Sequence, residues 1–156
     1  MELKTKINAE DGKQDLVITR EFDLPLALLF KAFAEPKLVA QWMGTKVLKL
    51  ESKKHGSYQF ETIDGKGNVV FKANGVIHEF IQDRKITRTF EMDNSPFYGV
   101  QLEVCEFEPL TDTTCKLHMH VIYESGAQRD QVLKLPFAQG INWAHNRLED
   151  LMKTLK

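Results

Sequence analysis

The chain has 156 residues, 42% of them hydrophobic, enough for one domain over 1–156 around a single core and short for two. Its 21 basic and 22 acidic residues leave a formal charge of −1, so no net field draws in nucleic acid or an anionic membrane. The opening MELKTKINAEDGKQ lacks the apolar run of a signal peptide, and no uncharged apolar stretch approaches bilayer length; the expected location is the cytoplasm, with no membrane insertion and no nucleic-acid partner.

In chain order, DLVITREF (15–22) alternates Leu16, Ile18, Arg20 and Phe22 with Val17, Thr19 and Glu21, the period of a strand with two unequal faces. Asp23 and Pro25 then signal a helix start. LPLALLFKAFAEPKLVAQWMGT (24–45) reads as two short helices, because Pro36 disfavours helical geometry at Glu35, ending the first helix and opening the second. Leu26, Leu29, Phe30 and Phe33 make the apolar stripe of the first; Leu38 with Trp42 and Val39 with Met43 make that of the second.

From Lys46 to Tyr123 the period is close to two, and the turns divide this stretch into about six antiparallel strands. Tyr58 and Phe60 alternate with Gln59 and Glu61, DGKGN (64–68) is a hairpin turn, and Val69, Phe71 and Ala73 continue on one face. Ile86, Arg88, Phe90 and Met92 share a face of a later strand, and PLTDT (109–113) turns the last pair. Cys105 and Cys115 fall on neighbouring strands, offset from direct opposition, so no disulfide is expected and both read as small core side chains. A closing helix begins near Pro136, with Phe137, Ile141, Ala144, Leu148, Leu151 and Leu155 on one stripe. It is long enough to lie across a curved sheet.

The usual marks of chemistry are absent: there is no Gly-x-Ser-x-Gly elbow, no His-Glu-x-x-His and no Cys-x-x-Cys. His118 and His120 share a strand face, but Cys115, Leu117, Met119, Val121 and Tyr123 occupy the apolar one. The histidines therefore look outward, into a charge ladder expected to contain Glu103, Glu106, Glu108 and Lys116 rather than a metal site. No metal, cofactor or catalytic residue is assigned. His78, Glu79 and His145 are the titratable groups to inspect for acid–base work, with exposed surface the commoner reading of each. Lys46, Lys49, Lys53, Lys54 and His55 read as a solvated basic stretch without interleaved stacking aromatics.

The order strand, two short helices, antiparallel meander and long final helix resembles the α+β helix-grip fold of the START and birch-pollen-allergen superfamily, also called SRPBCC. Within it the residues resemble the family related to the C-terminal domain of the activator of the heat-shock protein 90 ATPase. ITREFDLPLALLFKAFAEPKLVAQWMG (18–44) is similar to the family's arginine, Phe-Asp-x-Pro, aromatic-alanine helix and Glu-Pro, followed by a tryptophan and glycine. HGSYQF (55–60), DG (64–65), GVIHEFIQDRKITRTF (75–90) and GINWAHNRLEDL (140–151) resemble its glycine-aromatic strand, turn, glycine-led hairpin and closing helix. Met43, Thr45, His55, Arg88 and Ile141 depart from the family pattern.

The resemblance implies a curved sheet around one helix, and one helix stripe is narrower than a sheet face, so a space is expected between them, plugged at one end by the two short helices. Phe30, Phe33, Leu38 and Trp42 would then both complete the core and face that space. A ligand would touch Phe33, Trp42, Phe137 and Ile141 on the helices, and Tyr58, Phe60, Phe71, Arg88, Phe90, Leu102 and Met119 on the strands. A mostly apolar site of this kind takes a small hydrophobic or amphipathic molecule oriented by a few polar groups, and Arg88, on the face of Ile86 and Phe90, wants either a ligand acid or a protein acid. Tyr58, Tyr98 and Trp143 offer further polar tips, and Gly140 marks either a close approach or a tolerated surface position. The alternatives are a chaperone-interacting module and a cyclase- or hydrolase-like enzyme; a monomer and a homodimer both remain open.

Overall fold

In a computed structural model the described residues are 3–93 and 99–156, and Tyr98 lies outside them. Strands β1 (Lys6–Asn8), β2 (Asp15–Phe22), β3 (Lys46–Leu50), β4 (Ser57–Ile63), β5 (Val69–Ile81), β6 (Lys85–Met92), β7 (Val100–Pro109) and β8 (Cys115–Ile122) are joined by helices α1 (Leu26–Ala34), α2 (Pro36–Met43), α3 (Gly126–Leu133) and α4 (Phe137–Lys153). All eight strands form one antiparallel sheet in the order β1-β2-β8-β7-β6-β5-β4-β3. β3 to β8 are thus the expected meander, and β2 docks on its last strand. The fold is the α+β helix-grip architecture.

Local chemistry sets the breaks. Pro36 opens α2 at its first helical position, and Gly44 closes it in the left-handed region at φ 64°, where a side chain would be strained. The Asp64 carboxylate accepts the Lys66 and Asn68 amides, which holds the hairpin turn. Register shifts fall between Val47 and Lys49, Thr62 and Ile63, and Ile77 and Glu79. Such bulges bend and twist a sheet, and all three lie in the β3–β6 half.

Burial alternates along the strands, with Leu16, Ile18, Arg20 and Phe22 on the inner face of β2, and Cys115, Leu117, Met119 and Val121 on that of β8. Phe30 lies edge-on to Phe80 and Phe107 at ring-centroid distances of 5.3 and 5.0 Å, and Phe33 likewise to Phe107 and Trp42 at 5.5 and 5.2 Å. The opening helices therefore do fill core, and edge-to-face aromatic contacts of this kind add about 0.5–1.5 kcal/mol each beyond burial. Cys105 and Cys115 are free and buried.

Three expectations need correction. Glu103 does not join the outer ladder: it is buried on the inner face of β7 with Cys105 and Phe107, because strand alternation separates it from Glu106 and Glu108. For the same reason Leu102 points to the opposite face, where its partners are Thr89 and Ile122. The third concerns α4, whose buried residues are Asn142, His145, Leu148, Glu149 and Met152, while Phe137, Ile141, Ala144 and Leu151 are only half-buried and Leu155 is exposed. The helix is rotated so that a polar stripe goes inward, because that stripe meets Arg20 and Thr5.

Two elements lack the periodic pattern that would announce them. β1 is three residues long. α3, capped by Ser125 accepting from the Gln128 amide, is held by buried Arg129, which donates to the Glu10 and Asp15 carbonyls at 2.7 and 2.9 Å.

Candidate ligand-binding site

β6 carries Ile86, Arg88 and Phe90 inward, and the register sets Arg88 opposite Glu103 and Phe90 opposite Gln101. Arg88 Nε donates to Glu103 Oε1 at 3.0 Å, and Gln101 Nε2 donates to Glu103 Oε2 at 2.8 Å. The guanidinium lies 5.0 Å from the Tyr58 ring centroid, a cation–π distance. Burial opposes the charge of Arg88, but Tyr58 and the Glu103 carboxylate override it and hold the guanidinium above its ordinary pKa; burial pushes the Tyr58 phenol up. Arg88 is thus a permanent cation, compensated on one side.

Its other side is uncommitted. Among the described residues the two terminal amines of Arg88 have no hydrogen-bond partner. The side chain keeps 12% exposure against 5% for Glu103.

Gly75 makes this arrangement possible. It pairs with Tyr58 across β4 and β5, and a Cβ there would lie 2.6 Å from two ring atoms of Tyr58 and 2.0 Å from the Thr89 carbonyl oxygen. The ring passes over the bare backbone so that its hydroxyl donates to Thr89 O. That bond uses the phenol's one proton. The Trp42 indole is similarly spent, donating to Ala32 O at 2.8 Å.

The residues expected at the site divide by placement. Phe71 and Phe90, with centroids 6.5 Å apart, are half-buried, as are Phe137 and Ile141 on α4. Phe33, Trp42 and Met119 are buried, and Tyr58 and Phe60 are wholly covered. Leu102 is on the other face of the sheet. Glu103 and Gln101 were missed, although a legible signal existed: Glu103 shares parity with Cys105 and Phe107 along one strand. Trp143 is exposed, and nothing lies within 4 Å of a Cβ placed on Gly140, so the tolerated-surface reading of that glycine holds.

A second polar cluster sits between β1, β2 and α4. Arg20 Nη1 donates to Asn146 Oδ1 at 2.7 Å and its Nη2 lies 3.7 Å from Glu149 Oε1. Thr5 donates its amide to Asn142 Oδ1 at 3.0 Å, and its hydroxyl is hydrogen-bonded to His145 Nδ1 at 2.9 Å. Burial, with Arg20 nearby, drives the His145 pKa down to about 3. His145 is therefore a neutral, enclosed core group rather than the exposed one expected.

Among the described residues nothing else gathers into a reactive set. His118 pairs with Glu108 at 3.0 Å and His120 with Asp15 at 2.7 Å on the outer face. Glu79 pairs with Lys85, and His78 is exposed. No group of three or more His, Cys, Asp or Glu suited to a metal occurs among the described residues. Burial pushes the Cys105 thiol up to about 12 and Cys115 to about 11, which keeps both protonated and poorly nucleophilic.

A family model described as activator of Hsp90 ATPase homolog 1-like protein matches residues 23–153. Among solved structures, a protein from Arthrobacter aurescens is similar at TM-score 0.84 and 12% identity, covering 96% of this chain and 91% of its own. One from Rhodobacter sphaeroides gives TM-score 0.82 and 20% identity with coverage of 97% and 100%, and one from Nitrosomonas europaea 0.78 and 22% with 96% and 100%. At these identities the likeness concerns the fold. No curated protein matches the chain.

Proposed function

The chain belongs to the activator of Hsp90 ATPase homolog 1-like family, and from that premise we propose that it binds a small apolar or amphipathic molecule between the inner face of the sheet and α4, without catalysing a reaction on it. The observation that carries this reading is Arg88: among the described residues its terminal amines have no hydrogen-bond partner, and it shares the inner face of β6 with half-buried Phe90, whose ring centroid lies 6.5 Å from that of Phe71. An apolar face with one or two placed polar groups is how small-molecule sites are usually built. Phe137 and Ile141 supply the helix side, while Tyr58, Phe60, Phe33, Trp42 and Met119 back them. The proposal places the protein in the cytoplasm; no helix of the described residues is long and apolar enough to cross a membrane.

Native purification followed by solvent extraction and mass spectrometry tests the reading, with a Phe90→Ala, Ile141→Ala double variant as control. A compound enriched in the wild type and lost from the variant supports it. No enriched compound, together with no binding of hydrophobic fluorescent probes, would sink it.

The family description favours a second reading, a module that acts on a chaperone. Adding the protein to a heat-shock protein 90 should then raise ATP turnover, and an unchanged rate eliminates it.

A further inference from the structure

We infer that the ligand's polar end is uncharged, a hydroxyl or carbonyl oxygen accepting from Arg88, and that Glu103 imposes this choice by compensating the guanidinium. The inference rests on the binding reading above and deepens it.

An isolated arginine on an apolar face selects a carboxylate or phosphate. Arg88 is not isolated. Glu103 takes its Nε at 3.0 Å and is itself fixed by Gln101 at 2.8 Å, so the pair is neutral before any ligand arrives. A ligand carboxylate placed on the free amines would sit close to a second carboxylate. The buried group would then carry a net charge of minus one in a medium of low dielectric, where like charges repel strongly. Among the described residues the other inward-facing arginine of the sheet, Arg20 on β2, is engaged with Asn146 and Glu149. A neutral oxygen has no such cost. It satisfies the amines, which otherwise lose water without replacement when the site is filled, and it leaves the internal pair intact. The other donors agree, since the Tyr58 hydroxyl and the Trp42 indole already give their protons to the Thr89 and Ala32 carbonyls. The ligand class is therefore a largely apolar molecule with a neutral oxygen head.

The test uses two matched pairs of probes at neutral pH. N-Phenyl-1-naphthylamine and its 8-sulfonate share one ring system and differ by a charge; dodecanol and dodecanoate share one chain. The wild type should bind the uncharged naphthylamine, and dodecanol should displace it at concentrations at least tenfold below dodecanoate. Because an alcohol also partitions better than an anion, the deciding measurement is Glu103→Gln, in which that ratio should fall by tenfold or more, toward the carboxylate. Should Glu103→Gln fail to fold, Arg88→Gln with Glu103→Gln keeps amide hydrogen bonds without either charge, and its ratio should stay within threefold of the wild type. Equal or tighter displacement by dodecanoate in the wild type overturns the inference while leaving the binding reading intact. So does an unchanged ratio in folded Glu103→Gln, or a double-variant ratio outside that range. If neither naphthylamine binds and neither dodecyl compound shifts the melting temperature, the binding reading falls and takes the inference with it.

Discussion

Arg88 and Glu103 show how much a residue's role depends on what stands across the sheet. Breaking a buried ion pair from one side leaves an uncompensated charge and costs about 3–5 kcal/mol, whereas replacing both partners with apolar groups can be near neutral. Arg88→Met alone should therefore destabilise the protein by about that amount, and Arg88→Met with Glu103→Leu by less than half as much, as read from urea midpoints. A double-variant loss equal to the sum of the losses in Arg88→Met and Glu103→Leu alone would show that the pair is not coupled. Gly75 makes a second residue-scale case, because the atoms a methyl would meet are a carbonyl oxygen and a packed ring. Gly75→Ala should cost at least the ~1–3 kcal/mol of ordinary overpacking, seen as a lower melting temperature; an unchanged one would mean that β4 and β5 separate easily. At this scale the sequence was only half legible. Arg88 announces itself by sitting on an apolar parity, but Glu103 was hidden by its acidic neighbours Glu106 and Glu108, which belong to the other face.

At the scale of elements, regular periods were readable and tertiary polarity was not. The proline and glycine signals of α1 and α2 follow from backbone geometry alone, and the structure obeys them. α4 is different. Its apolar residues mark a stripe one step away from the face that is buried, because Asn142, His145 and Glu149 find partners on Thr5 and Arg20, and a satisfied polar group can be buried where a lone one cannot. Such a choice depends on residues more than a hundred positions away, which local periodicity cannot contain. β1 and α3 escape for a simpler reason: three residues set no period, and α3 is held mainly by its Ser125 cap and by Arg129. The open space around Gly140 on α4 yields a prediction of opposite sign to that at Gly75. Gly140→Ala should stabilise by about 1 kcal/mol through helix propensity, raising the melting temperature by about 2–4 °C for a domain of this size. A lower melting temperature would mean that some group closes on that position.

For the molecule as a whole, the order of elements carried the architecture, and of the two free edges of the six-strand meander, β3 and β8, it is β8 that takes β2. That closure brings β1, β2 and α4 together around His145, and it makes global stability depend on pH. The groups around the imidazole are Thr5 from the segment entering β1, Arg20 and Phe22 from β2, and Trp42 from α2, while Asn142 shares Thr5 with it and Glu149 pairs with Arg20. Burial lowers the His145 pKa from 6.5 to about 3 in the folded state. The unfolded chain therefore binds a proton that the folded chain refuses throughout that interval, and the stabilisation is complete above 6.5 and is lost as pH falls. Between pH 7 and pH 5 the loss from this one group is about 2 kcal/mol. Asp15, Glu51, Asp64 and Glu79, whose pKa values lie below the usual carboxylate range through hydrogen bonds, contribute only at lower pH, so the comparison with a His145 variant is what assigns the slope. Urea unfolding of the wild type at pH 7, 6 and 5 should show the decline, and His145→Gln, less stable at pH 7, should lose most of the slope while keeping the fold. A wild-type curve that is flat from pH 7 to 5 would mean that water reaches the imidazole and that the seam between α4 and the first two strands is open.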